Sequence, residues 1–121
     1  MTDKAKKYLS DIQYAISLTE NFMQNTENYS DFEKDLKTQS AVERQLGIIG
    51  EAVNKFRQED ITETLTHTKE IVNFRNSLIH SYDNIDNSIV WTITKNHLPV
   101  LKEEIETLIG ASLPVCASLF D

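Results

Sequence analysis

Only three glycines and two prolines punctuate this chain of 121 residues. Between them, apolar residues recur at helical spacing, and strand-like alternation is weak. A chain so poor in turn formers has few ways to fold except as long helices packed side by side. The first stripe is Leu9, Ile12, Ile16, Thr19 and Met23, widened by Tyr8, Ala15 and Phe22. It predicts an amphipathic helix over about residues 3–24, with lysines and glutamates on the outer face. The run NTENYSD (25–31) is rich in turn-prone residues and ends it. Ser30 or Asp31 is placed to cap a short helical turn reaching Leu36.

A second stripe, Val42, Leu46, Ile49, Val53 and Phe56, predicts a helix over about residues 38–57, with Ile48 and Ala52 beside it. Gly47 and Gly50 lie inside it as G-I-I-G. An interior glycine costs roughly 1 kcal/mol against alanine. The expected return is close approach of another helix, from the same chain or a second one, with plain internal packing as the alternative. QEDITETLTH (58–67) is a polar connector. A third helix, about 68–82, carries Ile71, Val72, Leu78 and Ile79. DNIDN follows, where Asn84 or Asp86 can cap a fourth helix. That helix holds Ile89, Val90, Ile93, Leu98, Leu101, Ile105 and Leu108. Pro99 is expected to kink or split it, because proline lacks the backbone donor. Gly110 is expected to mark its end, followed by a short apolar tail. The prediction is one all-α domain over residues 1–121, an up-and-down bundle of four main helices plus short helical turns, with residues 110–121 as the tail.

Bulk properties narrow the setting. A single cysteine, Cys116, cannot form an internal disulfide, which suits a reducing cytoplasm. The start, MTDKAKKYLSD, has no apolar h-region of a signal peptide. No apolar run approaches a membrane span. A soluble, cytoplasmic protein is therefore expected. Nineteen acidic residues against twelve basic ones give a formal charge of −7. That argues against a broad non-specific nucleic-acid surface. It leaves room for a small phosphate site built from a few arginines, and it suits docking on a basic partner.

The chemistry concentrates in FRNSLIHSY (74–82). Arg75 offers a planar fork of donors suited to phosphate. A histidine side chain can take or give a proton, and His80 supplies one here. Asn76 adds a neutral donor. Together they suit metal-independent RNA cleavage, in which a base deprotonates a 2′-OH that attacks the adjacent phosphate while arginine stabilises the added charge. The spacing alone is a weak signal. Five residues along an ideal helix place Arg75 and His80 about 140° apart. Such a site needs the helix to end near His80, or another segment or subunit to complete it, whereas Arg75 and Tyr82 share a face. One histidine is also short of the acid and base the reaction needs; a symmetric dimer would supply two. On residue types alone a structural role is the simpler reading: Arg75 in a surface ion pair, His80 at a helix end, Tyr82 partly buried.

Other candidates are weaker. His67 and His97 lack the partners of a ligand cluster, and no Cys/His spacing suggests zinc. There is no Walker-type phosphate loop. Cys116 reads as inert and Trp91 as packing. Asp83 and Asp86 read as caps, with orientation of His80 as the alternative.

The wider pattern adds to this. R-N-x-L-I-H-x-Y is followed by D-N-I-D, by Ile89-Val90-Trp91 and by Leu98-Pro99, and is preceded by QLGIIGEAV (45–53). This resembles the HepT-like toxins of the HEPN superfamily, with their R-x4-H-x-Y motif, from the first helix to about Leu108. The resemblance implies a homodimeric helical domain that cleaves RNA without a metal or other cofactor. It implies Arg75 and His80 as the ribonuclease pair, with Asn76 beside them. It implies a partner, a MntA-like nucleotidyltransferase antitoxin, that adds AMP to Tyr82. Such a phosphodiester would bring bulk and negative charge two residues from His80. The second reading is a non-catalytic helical module that binds the nucleotidyltransferase or a nucleotide.

Overall fold

The computed structural model describes residues 2–59, 65–81 and 85–112; for Ser81, Ala111 and Ser112 it describes the backbone only. The described residues form six α-helices and one π turn: α1 (Asp3–Phe22), α2 (Tyr29–Lys34), α3 (Leu36–Glu59), α4 (Thr68–Ser81), α5 (Asn87–Thr92), the π turn (Ile93–His97) and α6 (Leu98–Ser112). No strand occurs among them, so the all-α expectation holds. Tyr82, Asp83, Asn84, Cys116 and the expected tail beyond Ser112 lie outside the described residues.

Four of the helices begin where a side chain satisfies a free amide. The Thr2 hydroxyl accepts from the Ala5 amide at 3.0 Å and opens α1. Asn28, rather than Ser30 or Asp31, caps α2, its Oδ1 accepting from the Asp31 amide at 2.9 Å. Asn28 has the extended backbone a cap requires, whereas Ser30 and Asp31 already lie in the helix. Asp35 accepts from the amide and the hydroxyl of Thr38, at 3.0 and 2.6 Å, so α3 starts at Leu36, two residues earlier than its apolar stripe suggests. Asp86 caps α5 through the Ser88 amide and hydroxyl.

The predicted stripes face one core. Leu9, Ile12, Val42, Ile49, Val53, Phe56, Leu101 and Ile105 are fully buried. α1 and α3 pack along each other, with α4 against α3 and α6 against α1. Two buried polar side chains on these faces find backbone partners. The Thr19 hydroxyl donates to the Ala15 carbonyl at 2.8 Å. The Gln39 amide donates to the carbonyls of Phe32 and Glu33, tying α2 to α3. Trp91 packs as expected, meeting Tyr29 edge-on at 5.9 Å and Phe32 at 5.7 Å between ring centroids.

Pro99 interrupts the regular α-helix as expected: a π turn separates α5 from α6. It precedes the proline, with the Leu98 amide donating to the Ile93 carbonyl five residues back. That wider turn gives the pyrrolidine ring space where a regular turn would clash, so the chain stays helical from α5 into α6. One expectation changes: Gly110 does not end the helix, and α6 continues to Ser112.

Candidate functional site

Helix α4 carries the motif, and α3 seats it. Ile71 and Phe74 turn inward and are buried, which leaves Arg75 at the α3–α4 seam and Asn76, Ile79 and His80 exposed. The seam is tight because of the glycines. A Cβ on Gly50 would lie 2.5 Å from the Arg75 Cβ and 3.1 Å from both its Cγ and the Ile71 carbonyl oxygen. A Cβ on Gly47 would lie 3.3 Å from the tip of Leu78. The helix that approaches G-I-I-G therefore comes from the same chain.

Its charged end is fixed by two partners. Arg75 Nη2 donates to Glu51 Oε2 across the seam, and Nη1 donates to Asn76 Oδ1 at 3.0 Å. Glu51 also pairs with Lys55, one turn on, at 3.3 Å. Hydrogen bonds from Arg75 and then Lys55 hold the Glu51 carboxyl below its ordinary range. The Arg75 side chain keeps 23% of its exposure. It is neither buried nor free, the condition of a cation whose remaining donors face solvent.

Glu51 is the residue that sequence reasoning missed. The signal was present, an acid directly after G-I-I-G, but a glutamate on a helix is usually a solvated one. Only the packing of α4 on α3 shows what it meets.

His80 stands in the last turn of α4 and is exposed. Because α4 remains helical through Ser81, the ring leaves the axis about 140° around from Arg75 and about 7.5 Å along it. Within one chain the two side chains do not share a face. The structural reading of the motif is thus met as far as it goes: Arg75 is ion-paired and His80 is near a helix end. Tyr82, the third sequence candidate, lies outside the described residues.

Arg75 faces a groove of about 640 Å³ between α1, α3 and α4. His80 is not among its walls. His67 and His97 form a separate pair at the base of α4, their rings stacked with centroids 4.4 Å apart. Among the described residues, no three His, Cys, Asp or Glu side chains are placed to hold a metal ion. No helix among them is long and apolar enough to cross a membrane.

Comparison with known proteins gives the family. Residues 12–108 match the family model described as "Ribonuclease HepT-like". The chain is 39% identical over 105 residues to "Probable ribonuclease HepT" of Thermococcus cleftensis, covering 85% of this chain and 94% of that one. It is 38% identical over 106 residues to "Putative RNase MJ1216" of Methanocaldococcus jannaschii, covering 86% of each. No solved structure gives a significant match. With four-fifths of its length inside the family model, and with relatives matched over most of their own length, this chain belongs to the HepT-like ribonuclease family of the HEPN superfamily.

Proposed function

We propose that the chain is the toxin of a toxin–antitoxin pair, a metal-independent endoribonuclease of the cytoplasm that acts as a homodimer. The observation that carries this reading is the pre-set Arg75 fork, held by Glu51 and Asn76, five residues before an exposed histidine on the same helix. A phosphate meeting this arginine finds a guanidinium already oriented, so little ordering is left to do on binding.

In this reading His80 of one protomer removes the proton from a ribose 2′-OH. The oxygen attacks the neighbouring phosphorus, and the bond to the 5′ oxygen breaks. His80 of the second protomer returns a proton to that leaving oxygen. The products are a 2′,3′-cyclic phosphate and a free 5′-OH. Arg75 binds the phosphate and stabilises the charge that builds on its oxygens, and Asn76 supports the fork. The second protomer answers the 140° offset, because each chain then need not complete a site alone. Ile79, 57% exposed beside His80, is an apolar contact available to that pairing.

Regulation follows from the same chemistry. AMP added to Tyr82 by a MntA-like nucleotidyltransferase antitoxin would set a phosphodiester near His80 and compete with RNA for Arg75. The test is RNA cleavage in excess EDTA, by protein of verified unmodified mass and by its His80→Ala variant. Cleavage by the first alone supports the reading. Failure of both, with a stable complex with the nucleotidyltransferase, would assign the chain to the non-catalytic binding module instead.

A further inference from the structure

We infer that the groove between α1, α3 and α4 binds an unpaired stretch of RNA beside the phosphate held by Arg75, with Arg44 and Lys7 taking backbone phosphates and Tyr14 stacking on a base. This deepens the ribonuclease reading and rests on it. The chain as a whole is strongly acidic. The groove reverses that balance: its walls carry Lys7, Arg44, Lys55 and Arg75 against two acids, Asp11 and Glu51. Both acids are already engaged. Asp11 pairs with Lys7 at 3.0 Å, and Glu51 with Lys55 and Arg75. Arg44 is exposed and has no ion-pair partner among the described residues. A polyanion entering here meets a net positive lining on a molecule that elsewhere repels it.

The aromatic content fits the same ligand. Tyr14 is 67% exposed on the groove wall, a large ring with no packing reason to stand in water. Tyr8 lies deeper, beneath the Lys7 ammonium at 5.6 Å. Alternating cations and exposed rings along one track are the means by which proteins hold single strands, phosphates on the charges and bases on the rings. A duplex keeps its base faces stacked inside and cannot use Tyr14. A second copy of this chain filling the whole groove is the competing occupant, since Ile48 borders it as well as Ile79, whereas the pairing proposed above uses Ile79 at the rim alone. The cores of protein interfaces are depleted in charge, however, and this groove holds four cations.

The test measures binding, so that it does not depend on turnover. The His80→Ala protein is expected to leave RNA intact. Its affinity for a labelled single-stranded oligoribonucleotide, and for the same sequence as a duplex, is read by fluorescence anisotropy across a salt series. Arg44→Ala and Tyr14→Ala are added to that background, with Lys69→Ala, on the exposed start of α4, as the control. The expected result is about tenfold weaker single-strand binding for each groove variant. Arg44→Ala should also lower the salt slope by about one phosphate, while Lys69→Ala leaves both unchanged. Unchanged affinity in Arg44→Ala and Tyr14→Ala would overturn the inference. So would equal preference for duplex, or a change in sedimented mass without a change in affinity, which would give the groove to a second copy. Cleavage by the His80 parent in EDTA is scored separately. If that cleavage is seen while the groove variants bind normally, only the groove assignment fails.

Discussion

Gly50 and Arg75 meet where there is no space for a methyl group: a Cβ at position 50 would stand 2.5 Å from the Cβ of Arg75. The glycine admits the stem of the arginine, and the next residue, Glu51, holds its head. Helix packing and the candidate chemistry are therefore the same contact.

The three glycines should respond differently to alanine. Gly50→Ala forces α3 and α4 apart against the Ile71 carbonyl and the Arg75 stem, and should cost about 1–3 kcal/mol despite alanine's better helix propensity. Gly47→Ala meets only the end of the Leu78 side chain, which can yield, and should be close to neutral. Gly110→Ala meets nothing within 4 Å inside α6, and should stabilise by up to about 1 kcal/mol. Urea unfolding of the three variants checks the order, and a Gly50→Ala protein as stable as the parent would contradict the seam described above.

Glu51→Ala separates stability from positioning. The pair is partly exposed, so its loss should cost about 0–1 kcal/mol. If the carboxylate orients Arg75 for phosphate, RNA cleavage should fall on the order of 10- to 100-fold, well beyond what that stability change explains. Glu51→Gln keeps an acceptor and should recover part of the rate. Single-turnover cleavage set beside thermal unfolding gives both numbers.

Arg75→Lys should not rescue Arg75→Ala. An ammonium keeps the charge but cannot reach Glu51, Asn76 and a phosphate in one plane. Cleavage is expected to drop about 100- to 1000-fold, the scale of losing one transition-state donor. A lysine variant within a few-fold of the parent would mean that charge alone suffices.

The histidine pair predicts a pH dependence. Burial, then the neighbouring His67, push the His97 imidazole below its ordinary value, with Glu70 opposing. Its Nδ1 is buried and has no hydrogen-bond partner among the described residues. The folded chain thus binds fewer protons at this ring than the unfolded one. The resulting stability is complete above the ordinary imidazole value of about 6.5 and is lost as pH falls through the lower folded value. Thermal unfolding followed downward from pH 7 should show a decline that is shallower in His97→Gln. Parallel curves for the two proteins would remove His97 as its source.

Much of this was legible in the sequence. Helix periodicity is a local property, set by which residues lie three or four apart, so the stripes of α1, α3 and α6 could be read without knowing what they face. The spacing of Arg75 and His80, and their 140° separation, follow from helix geometry alone. So did Asp86 as a cap, because a cap acts within three residues. Other features depend on partners far along the chain. G-I-I-G announced a close approach, but only the fold decided that α4 of the same chain makes it. Glu51 looked like any solvated glutamate until Arg75, 24 residues on, was packed against it. The π turn that absorbs Pro99 and the stacking of His67 on His97 are likewise settled by how the helices pack. Local spacing determines which face of a helix is apolar; which side chains meet across two helices is decided by the packing of the whole core, and the seat of Arg75 is such a meeting.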